Sequence, residues 1–453
     1  MMNWIWLGLI AASVLVAGFT GNMEPLTLRI FESAKEAVMD LALPLVGIMA
    51  FFLGLMRVAQ DAGMMRIITR GLRRPMQWLF PDVPPDHPAM SAMIMNFGAN
   101  MLGLANAATP FGIKAMIELD KLNRHKGVAT NAMCLFLAIN TSSLSLLPTG
   151  TMGFRAASGS TDPASIWLPT LMSTALSTCV GILVAKWYQR MRVFQLDTAE
   201  LERLAVEAEK PTASQDDTAA AGGTAPAEPD VMGSAERAGW PVRALVWLAV
   251  AGFLGAAVYH YGFGSAGLSG LDVVKDFFSF WAIPALVGGM LLFGLARRVK
   301  VYESMVEGAK EGFRVAVRII PYLVAILVAV AMFKASGAMG LLEDTVGRVT
   351  AWLGMPAEVL PMAVIRPLSG NGAFGYMGSV FNEYGPDSFL GQMVSVMQGS
   401  TETTLYVLAV YFGAVQVHRV RHALAAGLTA DLAGVIAAVA LSHVFFQNLP
   451  ALF

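Results

Sequence analysis

The sequence has few charged residues. Only 14% of its 453 residues are Asp, Glu, Lys or Arg, and 56% are hydrophobic, whereas a soluble domain carries roughly 25% charged residues. Apolar stretches recur along the whole chain, with the length of about 20 residues that a helix needs to cross a bilayer core of about 30 Å. A water-soluble globule is therefore excluded. The composition predicts an all-α polytopic membrane protein with the lipid bilayer as its surroundings.

The sequence also lacks the marks of several functional classes. Its 31 basic and 32 acidic residues leave a net charge of -1, so no basic surface is available for nucleic acid. The absence of a Walker A motif argues against direct ATP-driven pumping. The absence of a His/Asp/Glu metal cluster or a Ser-His pairing argues against an enzyme. The two cysteines, Cys134 and Cys179, both lie in apolar stretches, and we interpret both as small buried side chains.

One segment differs from everything around it. Residues 197–238 are dominated by Ala, Pro, Gly, Thr and Ser, and carry ten acidic and three basic residues. Such a segment cannot bury a core, which predicts a flexible linker. It divides the chain into a first half, 1–196, and a second half, 239–453, which has an extra spanning helix at 240–261.

The two halves resemble each other in sequence. The following positions match in order: 32–36 with 307–311, Pro44 with Pro321, Arg57 with Lys334, and Gly63 with Gly340. One short match would be chance in apolar sequence, but an ordered series indicates an internal repeat.

The sequence predicts the same series of elements in each repeat. These are a spanning helix (4–21 and 277–296), an amphipathic surface helix (24–39 and 302–318), a further span, an interfacial stretch (64–80 and 339–353), an interrupted apolar region (90–117 and 360–381) and two final spans. The interrupted regions are rich in Gly, Pro and Asn. Non-helical backbone at membrane depth survives only against protein or water, so they predict helical hairpins.

Basic residues near the helix ends indicate the orientation. Their five clusters can all be cytoplasmic if the amino terminus is inside and the second repeat is inverted, and the extra span at 240–261 supplies that inversion. A misleading charge bias at one loop is the alternative. Inverted repeats of interrupted helices are a recurrent plan of secondary transporters.

The first hairpin carries a cluster of polar side chains. Asn96 and Asn100 are one helical turn apart and share a face, which favours binding of a polar solute. For Asn106 a role in tying the hairpin tip together is favoured. Thr109 completes the cluster, and all four are candidate substrate-binding residues.

Two polar runs interrupt the later spans. They are Asn140, Thr141, Ser142 and Ser143 in the first half, and Gln398, Ser400, Thr401, Glu402, Thr403 and Thr404 in the second. Ser and Thr can bond back to their own helix, but runs this long exceed that need. We interpret them as unwound segments whose polar groups bind an ion or a solute.

Charged groups at membrane depth need partners. Arg366 and Glu402 are the two ionisable groups most expected there, and a lone charge costs at least about 2.5 kcal/mol on insertion scales. Their pairing is therefore predicted, either as a structural lock or for proton acceptance by Glu402 or anion capture by Arg366. Ser369 and Asn371 follow in the same hairpin as candidate substrate-binding residues, and Asp431 is a weaker candidate for proton relay.

Several of these segments resemble known families. Residues 94–104, 106–110 and 140–143 resemble spore maturation protein A, and residues 307–313, 365–370, 385–389 and 397–404 resemble spore maturation protein B. The chain is thus similar to a fusion of the two, with Asn371 and Glu402 standing where the protein B pattern has serine and aspartate.

Both families carry a Gate, or nucleoside recognition, domain that is similar to parts of concentrative nucleoside transporters and of ferrous-iron transporter B. The resemblance implies a bacterial protein of the cytoplasmic (inner) membrane with a role in transport and, in spore formers, in maturing the spore core. It implies no particular substrate.

Two hypotheses follow. The first is a secondary transporter, or channel-like permease, of a small polar or anionic solute, with no cofactor and with H⁺ or Na⁺ as the coupling ion. The alternative is a non-transporting membrane scaffold for cell-wall or envelope enzymes. A shared water-filled cavity between the halves would favour transport, and a dry interior would favour the scaffold. The substrate, the coupling ion and a homo-oligomeric state stay open.

Overall fold

The chain folds into helices in both halves. A computed structural model describes residues 2–103, 105–195, 238–264, 273, 276–338, 340 and 354–446. The helices of the first half are α1 (Met2–Thr20), α2 (Met23–Glu36), α3 (Leu43–Asp61), α4 (Met64–Leu79), α5 (Pro88–Met101), α6 (Ala105–Lys121), α7 (Asn131–Ser142), α8 (Thr149–Ala157) and α9 (Trp167–Tyr188). Those of the second half are α10 (Trp240–Tyr259), α11 (Ala282–Ala296), α12 (Val301–Ala335), α13 (Leu360–Ile365), α14 (Gly370–Tyr384), α15 (Phe389–Ser400), α16 (Thr404–Gly413) and α17 (Ala423–Phe446). Apart from 238 and 340, the predicted linker at 197–238 and the stretch at 339–353 lie outside the described residues.

The lengths and composition of the helices fit a multi-pass membrane protein. In the described part of the chain, α9, α10 and α17 are long and apolar enough to cross a bilayer, and α3 with α4 makes a fourth candidate if the bent pair counts as one span. The two helices of that pair meet at 72°, where Gly63 takes a left-handed conformation with φ 80°. Such a bend suits the interfacial position that the sequence predicts for 64–80.

The helix α3 of the first half and the first part of α12 in the second half pack against each other in opposite directions. Ser304, near the start of α12, donates a hydrogen bond to Asp61 at the end of α3 (2.6 Å). Two turns further along α12, the backbones nearly touch, since a Cβ at Gly312 would lie 2.6 Å from the carbonyl oxygen of Met49. The chain of α3 therefore runs backwards along α12.

The final helices of the halves show the same relation. Ser173 on α9 donates to the carbonyl of Gly434 on α17 (3.0 Å), and Ser177 donates to that of Ala430 (2.8 Å). Residue numbers again increase along one helix while those of the contacted residues decrease along the other, so the two helices are antiparallel. Since α9 and α17 are the equivalent final helices of the two halves, their antiparallel packing is what an inverted repeat requires, and it confirms the predicted architecture.

Each half contributes one helix to the core of the other. Met152 and Phe154 on α8 of the first half pack in a core built largely from α12 to α15. Val407 and Phe412 on α16 of the second half pack in a core built largely from α4 to α7. This exchange interlocks the two halves around their interrupted helices.

The repeats differ at their prolines. The predicted surface helix at 302–318 and the span after it form one continuous helix, α12, which runs through Pro321. In the first half a π-helical turn, Ala37–Ala42, separates the corresponding elements, and Pro44 lies in the first turn of α3. A proline inside a helix costs one hydrogen bond, and neighbouring helices compensate for such losses within a membrane protein.

The prediction that both cysteines are buried is wrong for one of them. Cys134 on α7 is buried, but Cys179 on α9 is exposed. The reason is that α9 buries the face that carries its small polar residues, among them Thr170, Ser173 and Ser177. Its apolar face, which carries Cys179, is exposed on the surface of the helix bundle.

Candidate functional site at the crossing of two interrupted helices

The first polar run ends a helix. Asn140, Thr141 and Ser142 form the last turn of α7, and Ser143 takes a left-handed conformation with φ 35°. All four are buried. The chain then stays irregular up to Pro148, before α8 begins. The structure thus has an interruption here, but the prediction that the run itself is unwound is wrong for Asn140 to Ser142, which are helical, and holds only for Ser143.

The hydroxyl groups of this run bond back to their own helix. Thr141 donates to the carbonyl of Ala138 (3.0 Å) and Ser142 donates to that of Ile139 (3.1 Å). These bonds are the structural role that Ser and Thr commonly take in membrane helices. Two of the candidate substrate-binding hydroxyls are therefore already engaged.

The second polar run separates α15 from α16. Ser400 ends α15 and bonds back to the carbonyl of Met397 (2.8 Å), and Thr401 to Thr403 are not helical. Thr401, Thr403 and Thr404 are buried, whereas the side chain of Glu402 is 43% exposed.

The two runs meet. The backbone N–H of Glu402 donates to the carbonyl oxygen of Thr141 at 2.7 Å, so the interruption of one half supplies a partner for that of the other. Thr174 on α9 donates to the carbonyl of Ser143 at 2.6 Å, and the N–H of Leu405 donates to Pro367 in the second hairpin at 3.1 Å. We call this region the crossing.

Arg366 caps the end of α15. Its guanidinium donates to the carbonyl of Gln398 (3.0 Å), to the carbonyl of Thr401 and to the hydroxyl of Thr403 (3.1 Å). Cations stabilise helix C-termini because the last carbonyls are unpaired and carry partial negative charge. The carboxylate of Glu402 lies 3.7 Å from the guanidinium. The predicted proximity of Arg366 and Glu402 is confirmed. The expectation that both are buried is wrong for Glu402, which lies in the non-helical segment between α15 and α16 with its side chain 43% exposed.

The asparagines of the first hairpin lie at the same crossing. Asn96 donates to the carbonyl of Ala108 (2.8 Å) and to the hydroxyl of Tyr411 (3.1 Å). Asn100 donates to the side-chain oxygen of Asn140 (2.9 Å), which Tyr411 also approaches at 3.4 Å. Tyr411 is the residue that sequence reasoning missed, because it belongs to the other half and reaches this hairpin only through the exchange of α16.

The remaining candidates differ in position. Ser369 is the N-cap of α14, where its hydroxyl accepts a hydrogen bond from the N–H of Gly372 (3.0 Å), and Asn371 is half-buried in the first turn. Thr109 is half-buried in the first hairpin, and the side chain of Asn106 lies outside the described residues. Ser369 thus has a capping role that explains it without a solute.

Several buried acceptor atoms at the crossing have no hydrogen-bond partner among the described residues. They are the side-chain oxygens Asn96 Oδ1, Gln398 Oε1, Thr401 Oγ1 and Asp431 Oδ1. Buried polar atoms in proteins are almost always paired. These four atoms are therefore the part of the site that the described residues leave unsatisfied.

The ends of the two halves are held together by loops at both sides of the crossing. At one end, which we call the acidic clasp, the loops at 158–166 and 385–388 meet around Arg155. This fully buried guanidinium contacts Asp387 at 2.9 Å, and the same carboxylate accepts hydrogen bonds from Ser160 and Thr161. Burial alone would raise the pKa of Asp387, but these bonds and the charge of Arg155 outweigh it, and the pKa lies below its ordinary value.

At the other end, which we call the main-chain clasp, the loops at 125–131 and 416–421 meet. The carbonyl of Gly127 accepts from the N–H groups of His418 (2.9 Å) and Arg419 (3.1 Å), and the N–H of Ala129 donates to the carbonyl of Arg419 (3.0 Å). A cavity of about 290 Å³ lies beside it, lined by residues that include Asn123 and Arg421. The inverted repeat relates the two clasps. In each clasp, the loop that precedes the interrupted helix of one half contacts the loop that follows the interrupted helix of the other half.

Comparison with known proteins finds matches in both halves of the chain. A model of the Gate family, described as nucleoside recognition, matches residues 42–158 and 316–417, which contain both interrupted helices. Spore maturation protein B of Bacillus subtilis is 48% identical over 175 residues, which are 39% of this chain and 98% of the relative. Spore maturation protein A of the same organism is 38% identical over 192 residues, which are 42% of this chain and 97% of the relative.

A solved structure is also similar over the whole chain. The YdaH transporter of Alcanivorax borkumensis is 15% identical, with 98% of this chain and 97% of that chain covered, and the TM-score is 0.42. So low a score carries no conclusion about function. The two sequence relatives match different parts of the chain. The chain therefore belongs to the family of spore maturation proteins A and B, Gate membrane proteins, and joins an A-like half and a B-like half in one polypeptide.

Proposed function

We propose that the protein is a secondary transporter of a small, neutral polar solute that donates hydrogen bonds. The observation that carries this proposal is the set of unpaired acceptors, Asn96 Oδ1, Gln398 Oε1 and Thr401 Oγ1, buried where the interrupted helices of two inverted repeats meet. A solute with hydroxyl or N–H groups would satisfy these atoms. Interrupted helices that meet near the midplane are also the usual position of a transporter's binding site.

An anionic solute has less support. The guanidinium of Arg366 is the cation at the crossing, and its donors are engaged with Gln398, Thr401 and Thr403. The carboxylate of Glu402 lies 3.7 Å from it and would repel an anion that approached. Capture of an anion would therefore require α15 to give up its cap.

In this proposal the protein lies in the cytoplasmic membrane, with the amino terminus and the linker at 197–238 inside. The main-chain clasp and its cavity then face the cytoplasm, and the acidic clasp faces outwards. With both clasps joined and the crossing buried, the structure corresponds to a closed state of the transport cycle.

A scaffold without transport activity is the second candidate. It is favoured by the hydroxyls of Thr141, Ser142 and Ser400, which bond back to their own helices and so act as packing groups. It is also favoured by the position of the 290 Å³ cavity, which lies beside the main-chain clasp rather than at the crossing.

Uptake into liposomes separates the two candidates. Purified protein would be tested with labelled nucleosides, polyols and dicarboxylates. For a transported solute, we expect Thr401→Ala and Gln398→Leu each to weaken uptake at low solute concentration by roughly 2- to 12-fold, because one neutral hydrogen bond contributes about 0.5–1.5 kcal/mol. Ser142→Ala is the matched control, since that hydroxyl bonds to Ile139 in its own helix, and its uptake should match the parent. If none of the solutes is moved, and Thr401→Ala lowers only the melting temperature, the scaffold replaces the transporter.

A further inference from the structure

Asp431 is a buried carboxylate in the middle of a spanning helix. It lies in α17 and is only 3% exposed. One carboxylate oxygen, Oδ2, accepts a hydrogen bond from the hydroxyl of Thr404 at 2.6 Å. The other oxygen, Oδ1, has no partner in the described part of the chain.

Glycines one turn away on each side bring both interrupted helices against this part of α17. A Cβ at Gly427 would lie 2.9 Å from Thr404 Cγ2 and 3.3 Å from Thr141 Oγ1. A Cβ at Gly434 would lie 2.5 Å from Thr401 Cγ2. Because Asp431 lies between the two glycines, its carboxylate faces the crossing. The side chain of Thr401, whose hydroxyl oxygen has no partner among the described residues, packs on the same side of α17 through its methyl group.

The charged groups around Asp431 do not neutralise it by direct contact. Arg366 and Glu402 act on it electrostatically, but the donors of Arg366 bond to Gln398, Thr401 and Thr403. The other described groups that contact this part of α17 are uncharged, namely Thr141 on α7, Ser173 and Ser177 on α9, and Thr404 on α16. A buried carboxylate without a pairing cation is costly, and either a bound proton or a bound metal cation removes that cost.

We propose that Asp431, with the hydroxyls of Thr404 and Thr401, forms the binding site of a small monovalent cation, H⁺ or Na⁺, at the crossing. The same residues contact the second interruption, so occupation of the site would set the conformation of Thr401 to Thr404. Cation binding stands on its own. Its coupling to solute movement rests on the proposed transport function.

Measurements on the unmodified protein test the binding. For Na⁺, the melting temperature in detergent is compared in sodium chloride and in choline chloride, where ligand binding to the folded state should raise it by several degrees. For H⁺, an infrared difference spectrum between acidic and alkaline pH should contain the carbonyl band of a protonated carboxyl group. We expect one of the two signals, and which one appears identifies the cation.

Variants assign the signal to the site. Asp431→Asn should abolish it. Thr404→Val should weaken a Na⁺ signal, because a coordinating hydroxyl is lost, and should strengthen proton binding, because the ionised carboxylate loses the hydrogen bond to Oδ2. Asp86→Asn is the control: it removes an exposed surface carboxylate outside the crossing and should leave the signal in place. If the parent protein shows neither signal, or if Asp431→Asn keeps the one that the parent shows, the proposal is wrong. A cation signal without solute uptake would overturn the transport proposal alone.

Discussion

The two clasps join the same pairs of equivalent loops, but they use different chemistry. The acidic clasp depends on side chains and charge, with the buried Arg155 beside Asp387 at 2.9 Å. The main-chain clasp depends on the backbone, where Gly127 accepts from two N–H groups of the opposite loop. The inverted repeat thus preserves the position of the joints and not the residues that make them.

This difference predicts how each of the two joints can be weakened. A hydrogen bond between backbone groups survives nearly every substitution and does not depend on pH, so we expect the main-chain clasp to be weakened chiefly by a change in loop conformation. The acidic clasp can be weakened by the loss of one charge. We therefore expect substitutions and pH to act on the two ends selectively.

The largest expected effect is that of Asp387→Ala. It leaves the guanidinium of Arg155 buried without its counter-charge, and breaking a buried ion pair costs about 3–5 kcal/mol. We expect the lower limit, about 3 kcal/mol, because the side chain of Asp387 is 33% exposed and Arg155 keeps its bonds to Pro386 and Ser395. The melting temperature in detergent should fall by several degrees.

Asp86→Ala is the control for that experiment. Asp86 pairs with Arg73 on the surface, and its side chain is 94% exposed, so its loss should have little effect on stability. An Asp387→Ala protein as stable as Asp86→Ala would show that the acidic clasp does not hold the halves together.

A smaller effect is expected at the main-chain clasp. Gly127 has φ 78°, and alanine in this conformation costs about 1–2 kcal/mol. Its Cβ would meet no close neighbour, the nearest atom being a carbon of His418 at 3.7 Å. Gly127→Ala should therefore loosen the joint through the backbone alone.

Gly159 supplies the matched control, because it has φ 81° in a loop of the acidic clasp and a Cβ there has open space. Both alanine variants should lose similar stability. Only Gly127→Ala should speed labelling of a single cysteine placed at Asn123, in the cavity, in a protein without Cys134 and Cys179. Equal labelling in both variants would show that the two ends open together.

The sequence predicted what local pattern determines. The repeat, the hairpins, the two interruptions and the proximity of Arg366 to Glu402 all follow from breakers and charges in apolar sequence. The hydrogen-bond partner of each polar group could not be predicted in this way. Whether Thr141 bonds back to its helix or faces a solute depends on rotamers and neighbours that a pattern does not contain.

For a related reason, contacts between the halves could not be predicted from the sequence. Tyr411 lies 315 positions from Asn96, and Asp387 lies 232 from Arg155. The motifs place each residue on its own loop or helix. Only the antiparallel packing of α3 with α12 and of α9 with α17 decides which loops meet.

The smallest expected effect is a pH dependence confined to the acidic clasp. The pKa of Asp387 is lowered in the folded protein, so its stabilising contribution is complete above the ordinary pKa of about 4 and is lost as pH falls through the lowered value. The difference in melting temperature between the parent and Asp387→Ala should stay constant from neutral pH down to about 5 and shrink below about 4. The difference for Gly127→Ala should not change over the same range, because that joint is made by backbone groups and by the guanidinium of Arg421, which donates to the carbonyl of Ala129 and stays charged. If the difference in melting temperature for Gly127→Ala shrank in parallel, protonation would weaken both ends. The two clasps would then differ in the bonds that form them and not in their response to pH.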